Sequence, residues 1–98
     1  MRTEFEEMDV PASAPNFGDP ILIDRFVYKN VVVSGTFTGT MRIQGSIDGS
    51  TWNDLTGNIT AVGVTAIPHT VKFLRVSLTA LSDGTPVVHH GGFDGRTV

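Results

Sequence analysis

Three histidines, ten acids and one tryptophan are the side chains with which this 98-residue chain could do chemistry. His89 and His90 are adjacent in a strand-like stretch, so they project to opposite faces and cannot chelate one ion together. His69 follows Pro68 in a turn, and no carboxylate stands at ligand spacing from any of the three. No metal site is expected. Asp48 and Asp54 straddle a turn and could be imagined as a glycosidase pair, but such a pair works in a deep cleft that fewer than 80 core residues hardly build. The pattern instead gives Asp48 to the turn and Asp54 to solvent. Nothing resembles a nucleophile elbow with an oriented base, and no Gly-rich loop joins a strand to a helix to cradle phosphate. The expectation is a protein with no catalytic residue and no cofactor, hence no enzyme. Trp52 is either a large core piece or an exposed platform for a sugar ring, and its position favours the core. Trp52, Tyr28 and Arg75 form the candidate set for sugar stacking.

The elements that must position these residues are strands. From Phe37 to Ile47 apolar residues fall on odd positions (Phe37, Met41, Ile43, Ile47), while Thr38, Thr40, Arg42, Gln44 and Ser46 take the even ones. That is the period of a strand with one buried and one wet face. It runs into Asp48-Gly49, a tight-turn signal, and Trp52 opens a second short strand, so a β-hairpin is expected. Strands are expected at Ile21–Phe26, Tyr28–Phe37, Thr40–Ile47, Thr51–Leu55, Ile59–Ala66, Val71–Ala80 and Pro86–Phe93. Turns are expected at Thr38-Gly39, Asp48-Gly49, Thr56-Gly57-Asn58, Ile67-Pro68-His69, Ser82-Asp83-Gly84 and Gly91-Gly92, the last opening a flexible end. Val71 and Phe73 are apolar on odd positions but Leu74, Val76 and Leu78 on even ones, which predicts a β-bulge or bend at Phe73-Leu74. Arg75 then points away from Leu74 and Val76, as a solvated or salt-bridged surface arginine. The fold class is all-β: a single β-sandwich or jelly-roll-like barrel of about seven short antiparallel strands, with an extended N-terminal arm.

The arm is residues 1–20 and the β-sandwich domain residues 21–98. The first segment holds three of the five prolines and one Arg against five acids, a local net charge of −4; the remainder carries +1. Such a chain gains little from a phosphate backbone, so no nucleic-acid partner is expected. No apolar run approaches the ~20 residues of a membrane span, no signal-peptide pattern opens the chain, and there is no Cys. A soluble protein made in a reducing cytoplasm is expected. The first segment is either a solvated leader or an arm that orders on a neighbouring subunit, with Phe5, Met8 and Phe17 as apolar anchors and Glu4, Glu6, Glu7 and Asp9 seeking basic residues.

The stretch Gln44 to Leu55, QGSIDGSTWNDL, followed about 18 residues later by Phe73-Leu74-Arg75-Val76, resembles two groups of proteins. One is the discoidin-like and galactose-binding-like jelly rolls, in which a strand runs into S-x-D-G-x-x-W. The other is the small β-sandwich virion proteins of tailed bacteriophages, which carry a similar hairpin. The chain is shorter than discoidin-type lectin domains and its loops are short, so the phage comparison fits better in size, lack of Cys and N-terminal arm. The resemblance implies a capsid decoration (cement) protein on the capsid surface of a virion, synthesised in the host cytoplasm. Its implied partners are the major capsid protein and further copies of itself, a trimer favoured. A tail or baseplate component and a small carbohydrate-binding module are the alternatives.

Overall fold

The computed structural model describes residues 3–23, 28–68 and 71–93. Seven strands lie there, all in one antiparallel sheet and with no helix: β1 Thr3–Met8, β2 Asn16–Phe17, β3 Ile21–Leu22, β4 Tyr28–Ser46, β5 Asn53–Asp54, β6 Gly63–Ala66 and β7 Phe73–Phe93. The sheet is built on a ladder between β4 (19 residues) and β7 (21 residues), which pair from Tyr28↔Phe93 to Ser46↔Phe73. On the far edge of β7 lie β1, β2 and β3; on the far edge of β4 lie β5 and β6.

Two pairs of expected strands are therefore single strands. The signals at Thr38-Gly39 and Ser82-Asp83-Gly84 do not reverse the chain; they face one another across the ladder, with Thr38 paired to Asp83 and Gly39 to Leu81. Ser82 and Thr79 are left over there, one at each of two register shifts. Each extra residue moves the following side chains to the other face. Inward positions on β4 stay odd throughout (Val31, Val33, Phe37, Met41, Ile43). Those on β7 step from His90 and Val88 through Leu81 to Leu78, Val76 and Leu74. Two bulges cancel, so the strand enters and leaves with the same phase. The bulge expected at Phe73-Leu74 is absent, because pairing runs unbroken from Phe73 to Leu78. Phe73 is apolar on the outer side for another reason: its ring lies against Gly49 of the hairpin turn.

A straight 19-residue strand would span about 60 Å, yet the longest dimension of the molecule is 45 Å. The ladder has to curl, and the bulges supply the bend. Gly84 sits at φ +83 opposite Phe37, where a Cβ would overlap the Thr36 carbonyl oxygen and Phe37 Cα. Only glycine fits both that backbone and that approach. Curling brings Met8, Val31, Val33 and Val88 from one half of the ladder into one buried cluster with Met41, Ile43, Leu74, Val76 and Leu78 from the other.

Other expectations shift at their ends. Thr51–Leu55 contracts to β5 and Ile59–Ala66 to β6, with Ile59 making an isolated bridge to Met41. Ile47 is 73 % exposed, because the inward alternation stops where Ser46, buried, begins the turn. Gly91 and Gly92 are no turn: each is paired on both sides, to Phe5 and Asn30 and to Glu4 and Lys29. His69 and residues 94–98 lie outside the described residues, as do positions 24–27 of the expected strand Ile21–Phe26.

The first twenty residues are laid along the body of the same chain. Thr3–Met8 pairs with β7 over six residues, and Asn16–Phe17 pairs with it again. Met8 is 2 % exposed inside the cluster. The intervening loop is closed by Asp9, whose Oδ2 accepts the Asp19 N–H at 2.9 Å, and by the Gly18 N–H donating to the Val76 carbonyl at 2.9 Å. Strands on both sides of Pro20 pair with β7 in one sheet.

Two substitutions test this architecture. Met8→Ala should destabilise the chain by about 2–5 kcal/mol in urea unfolding, as for other buried long side chains; a change near zero would show that β1 is not part of the folded body. Gly84→Ala should cost at least about 1–2 kcal/mol from the left-handed backbone alone, and an unchanged midpoint would mean the ladder is not pinned there.

Candidate binding face

On the outer side of the β4–β7 ladder, even positions of β4 and odd positions of β7 meet in rows. Asp54, Gln44 and Arg75 stand side by side across β5, β4 and β7; Arg42, Ser77 and Phe17 form the next row across β4, β7 and β2. Hydrogen bonds run along this surface. Arg75 Nε donates to Gln44 Oε1 (2.9 Å), and Gln44 Nε2 to Asp54 Oδ1 (2.9 Å). Arg42 Nη1 donates to Asp54 Oδ2 (2.8 Å) and Arg42 Nε to Asn58 Oδ1 (2.8 Å). These bonds hold the Asp54 carboxyl below the usual range, Gln44 contributing most and Arg42 next.

Arg75 is the centre of the face. Its guanidinium is stacked on the Phe17 ring at 3.9 Å and on the Trp52 ring at 4.1 Å. Cation–π contacts of this kind contribute about 0.5–2 kcal/mol each. Burial lowers the pKa of the guanidinium, whose charge stays in place because its ordinary value is so high. Phe17 itself is 54 % exposed, and Leu22, paired with Phe73 on the outer side of β7, is 55 % exposed.

Trp52 reaches Arg75 because the preceding turn is tightly made. Asp48 Oδ1 accepts the N–H groups of Ser50 and Thr51, both at 2.8 Å, and the Ser46 hydroxyl at 3.0 Å, while Ser46 Oγ accepts the Gly49 N–H at 2.8 Å. Gly49 takes φ +82, as the turn requires. Bonding to the ionised form, first from Thr51 and then Ser50, depresses the Asp48 pKa to about 2.

No family model matches the chain, and no curated protein or solved structure matches it. What the face can do is legible only from its residues.

Trp52 is half-buried on this face and lies outside the core in which it was expected. It meets Arg75, as the sugar-stacking set requires, but Tyr28 pairs with Phe93 at the opposite end of β4 and does not join them; its side chain lies outside the described residues. Asp48 and Asp54 both sit below the usual carboxylate range. Such a pair lacks the raised-pKa acid that glycoside hydrolysis needs. Among the described residues, no three His, Cys, Asp or Glu side chains group as metal ligands. His90 is fully buried, its Nδ1 3.9 Å from Glu6 Oε1, and His89 is half-buried.

The residues named as arm anchors are dispersed over the body. Met8 is in the core, Phe17 on Arg75, Asp9 on the Asp19 amide, and Glu7 in solvent; the side chains of Glu4 and Phe5 lie outside the described residues. Arg42, Gln44 and Asn58 are the members of the face that sequence reasoning missed. The alternation already turned Arg42 and Gln44 outward, but their partners came from strands whose register no pattern specifies.

Asp48 supplies a pH test. A carboxyl held at about 2 in the fold, against 3.8 for the ordinary group, adds stability that is complete above pH 3.8 and is lost as pH falls through about 2. The stability advantage of the native chain over Asp48→Ala should be constant above this window and shrink within it. Carboxyl NMR should place the Asp48 midpoint near 2; a midpoint near 3.8 would mean the turn does not hold it.

Proposed function

We propose that this chain is a structural virion protein, a capsid decoration protein that stabilises a phage head by bridging capsomers as a homo-oligomer. The two halves of the curled ladder, sharing one core, are read as the layers of a β-sandwich. The observation that carries the proposal is the outer face, where an arginine stacked on a tryptophan and on Phe17 shares the surface with exposed Phe17 and Leu22. Buried Trp and Arg anchors ringed by apolar contacts are the usual composition of protein–protein hot spots. In this reading the major capsid protein meets this face; the engagement of Met8 and Phe17 within their own chain supports it over a free arm. Many copies on a lattice make weak individual contacts sufficient. A tail or baseplate component with the same face would differ in its location on the particle. The stacking of Trp52 on Arg75 favours a carbohydrate-binding module as the second reading.

Leu22→Asp combined with Ile47→Asp decides the matter, since both side chains are exposed and the fold should survive. The variant should bind purified capsids at least about tenfold more weakly than the native chain, as for loss of contacts at an interface centre. Normal decoration by the variant would remove this face from the interaction.

A further inference from the structure

We propose that Arg75 is a carboxylate-binding subsite, a place where a partner's carboxylate, set beside an apolar carbon surface, is held by the guanidinium fork. The proposal rests on the reading of the outer face as the contact surface and names the chemistry received there.

Geometry restricts what Arg75 can still do. Its guanidinium lies over two rings, Phe17 at 3.9 Å and Trp52 at 4.1 Å. Its Nε hydrogen is donated to Gln44. What remains is the in-plane edge formed by the two Nη groups, which among the described residues make no hydrogen bond. That edge is a planar fork whose spacing matches the two oxygens of a carboxylate, and the Gln44 bond and the two ring contacts fix its orientation.

Charge points the same way. Asp54 is the acid in the adjoining row, and both of its oxygens are already taken, one by Gln44 and one by Arg42. Among the described residues no carboxylate forms an ion pair with Arg75. A partly desolvated cation without a counter-charge gains most from an anion brought by a ligand. The exposed ring of Phe17 and the side chain of Leu22 supply apolar contact to whatever carries that anion.

Trp52 is the sole tryptophan, so its fluorescence reads this site directly. The full chain is titrated at constant ionic strength with acetate, with acetamide as the neutral isostere, with glucuronate against glucose, and with the peptide N-acetyl-Leu-Asp-Leu-amide. Acetate should shift the Trp52 emission and the Arg75 Nε–H resonance saturably in the millimolar range, and acetamide should do neither. Arg75→Lys, which keeps the charge but not the fork, should weaken acetate several-fold. The acidic peptide binding more tightly than glucuronate identifies a protein carboxylate as the source; the reverse order identifies an acidic sugar. Equal responses to acetate and acetamide, or no response to any carboxylate, would overturn the proposal using the native chain alone. Capsid binding is a separate measurement, so loss of the carboxylate response with normal sensitivity to the Leu22 and Ile47 changes would reject the subsite and leave the contact face standing.

Discussion

A backbone ladder nineteen pairs long organises everything else in this chain. Once β4 and β7 are paired, each has one free edge of amide and carbonyl groups that must find partners or water. The N-terminal strands take the edge of β7 and the two short strands the edge of β4, so every other element is an addition to one ribbon. The ribbon itself could not bury an apolar surface if it were straight. The two one-residue bulges let it curl while returning the inner positions to their original phase, and Gly84 admits the close approach at the bend. Core, edges and outer face all follow from that arrangement.

The outer face is held by contacts that contribute modestly to stability. Arg42 and Asp54 are each about two-fifths exposed, where an ion pair is worth about 0–1 kcal/mol. The stacking of Arg75 adds a comparable amount per ring. Their consequence is positional: they join β2, the ladder and the hairpin loop, which are far apart in the chain, and hold the guanidinium in place. A face assembled in this way is organised for recognition more than for holding the fold together.

Acids on the first strand have a role that needs no partner. β1 is the outermost strand beside β7, and Glu6 and Glu7 are exposed on it. Charges on an edge strand oppose pairing with a second copy. An arm reading and an edge-strand reading draw on the same residues, and burial of Met8 beside Val88 selects the second for Thr3–Met8.

Much of the local structure was legible in the residues. The alternation at Met41 and Ile43, the hairpin at Asp48-Gly49, the outward direction of Arg75 and the opposed fates of His89 and His90 all follow from a period of two and from turn chemistry. Whether Gly39 and Gly84 would reverse the chain or bulge it was not legible, because the same residue types serve both purposes and only the pairing partner decides between them. The phase change was misplaced because Phe73 is apolar on the outer side, against Gly49, and Trp52 was expected in the core because a large apolar ring suits either a core or a stacking face. Long-range register joined Phe17, Gln44, Trp52 and Arg75, which lie on four separate segments. By itself the sequence determined an all-β chain and the inward and outward phase of the strand around Met41 and Ile43; tertiary pairing alone decided which outward side chains meet, because hydrogen-bonded register is set between strands and leaves no mark within either one.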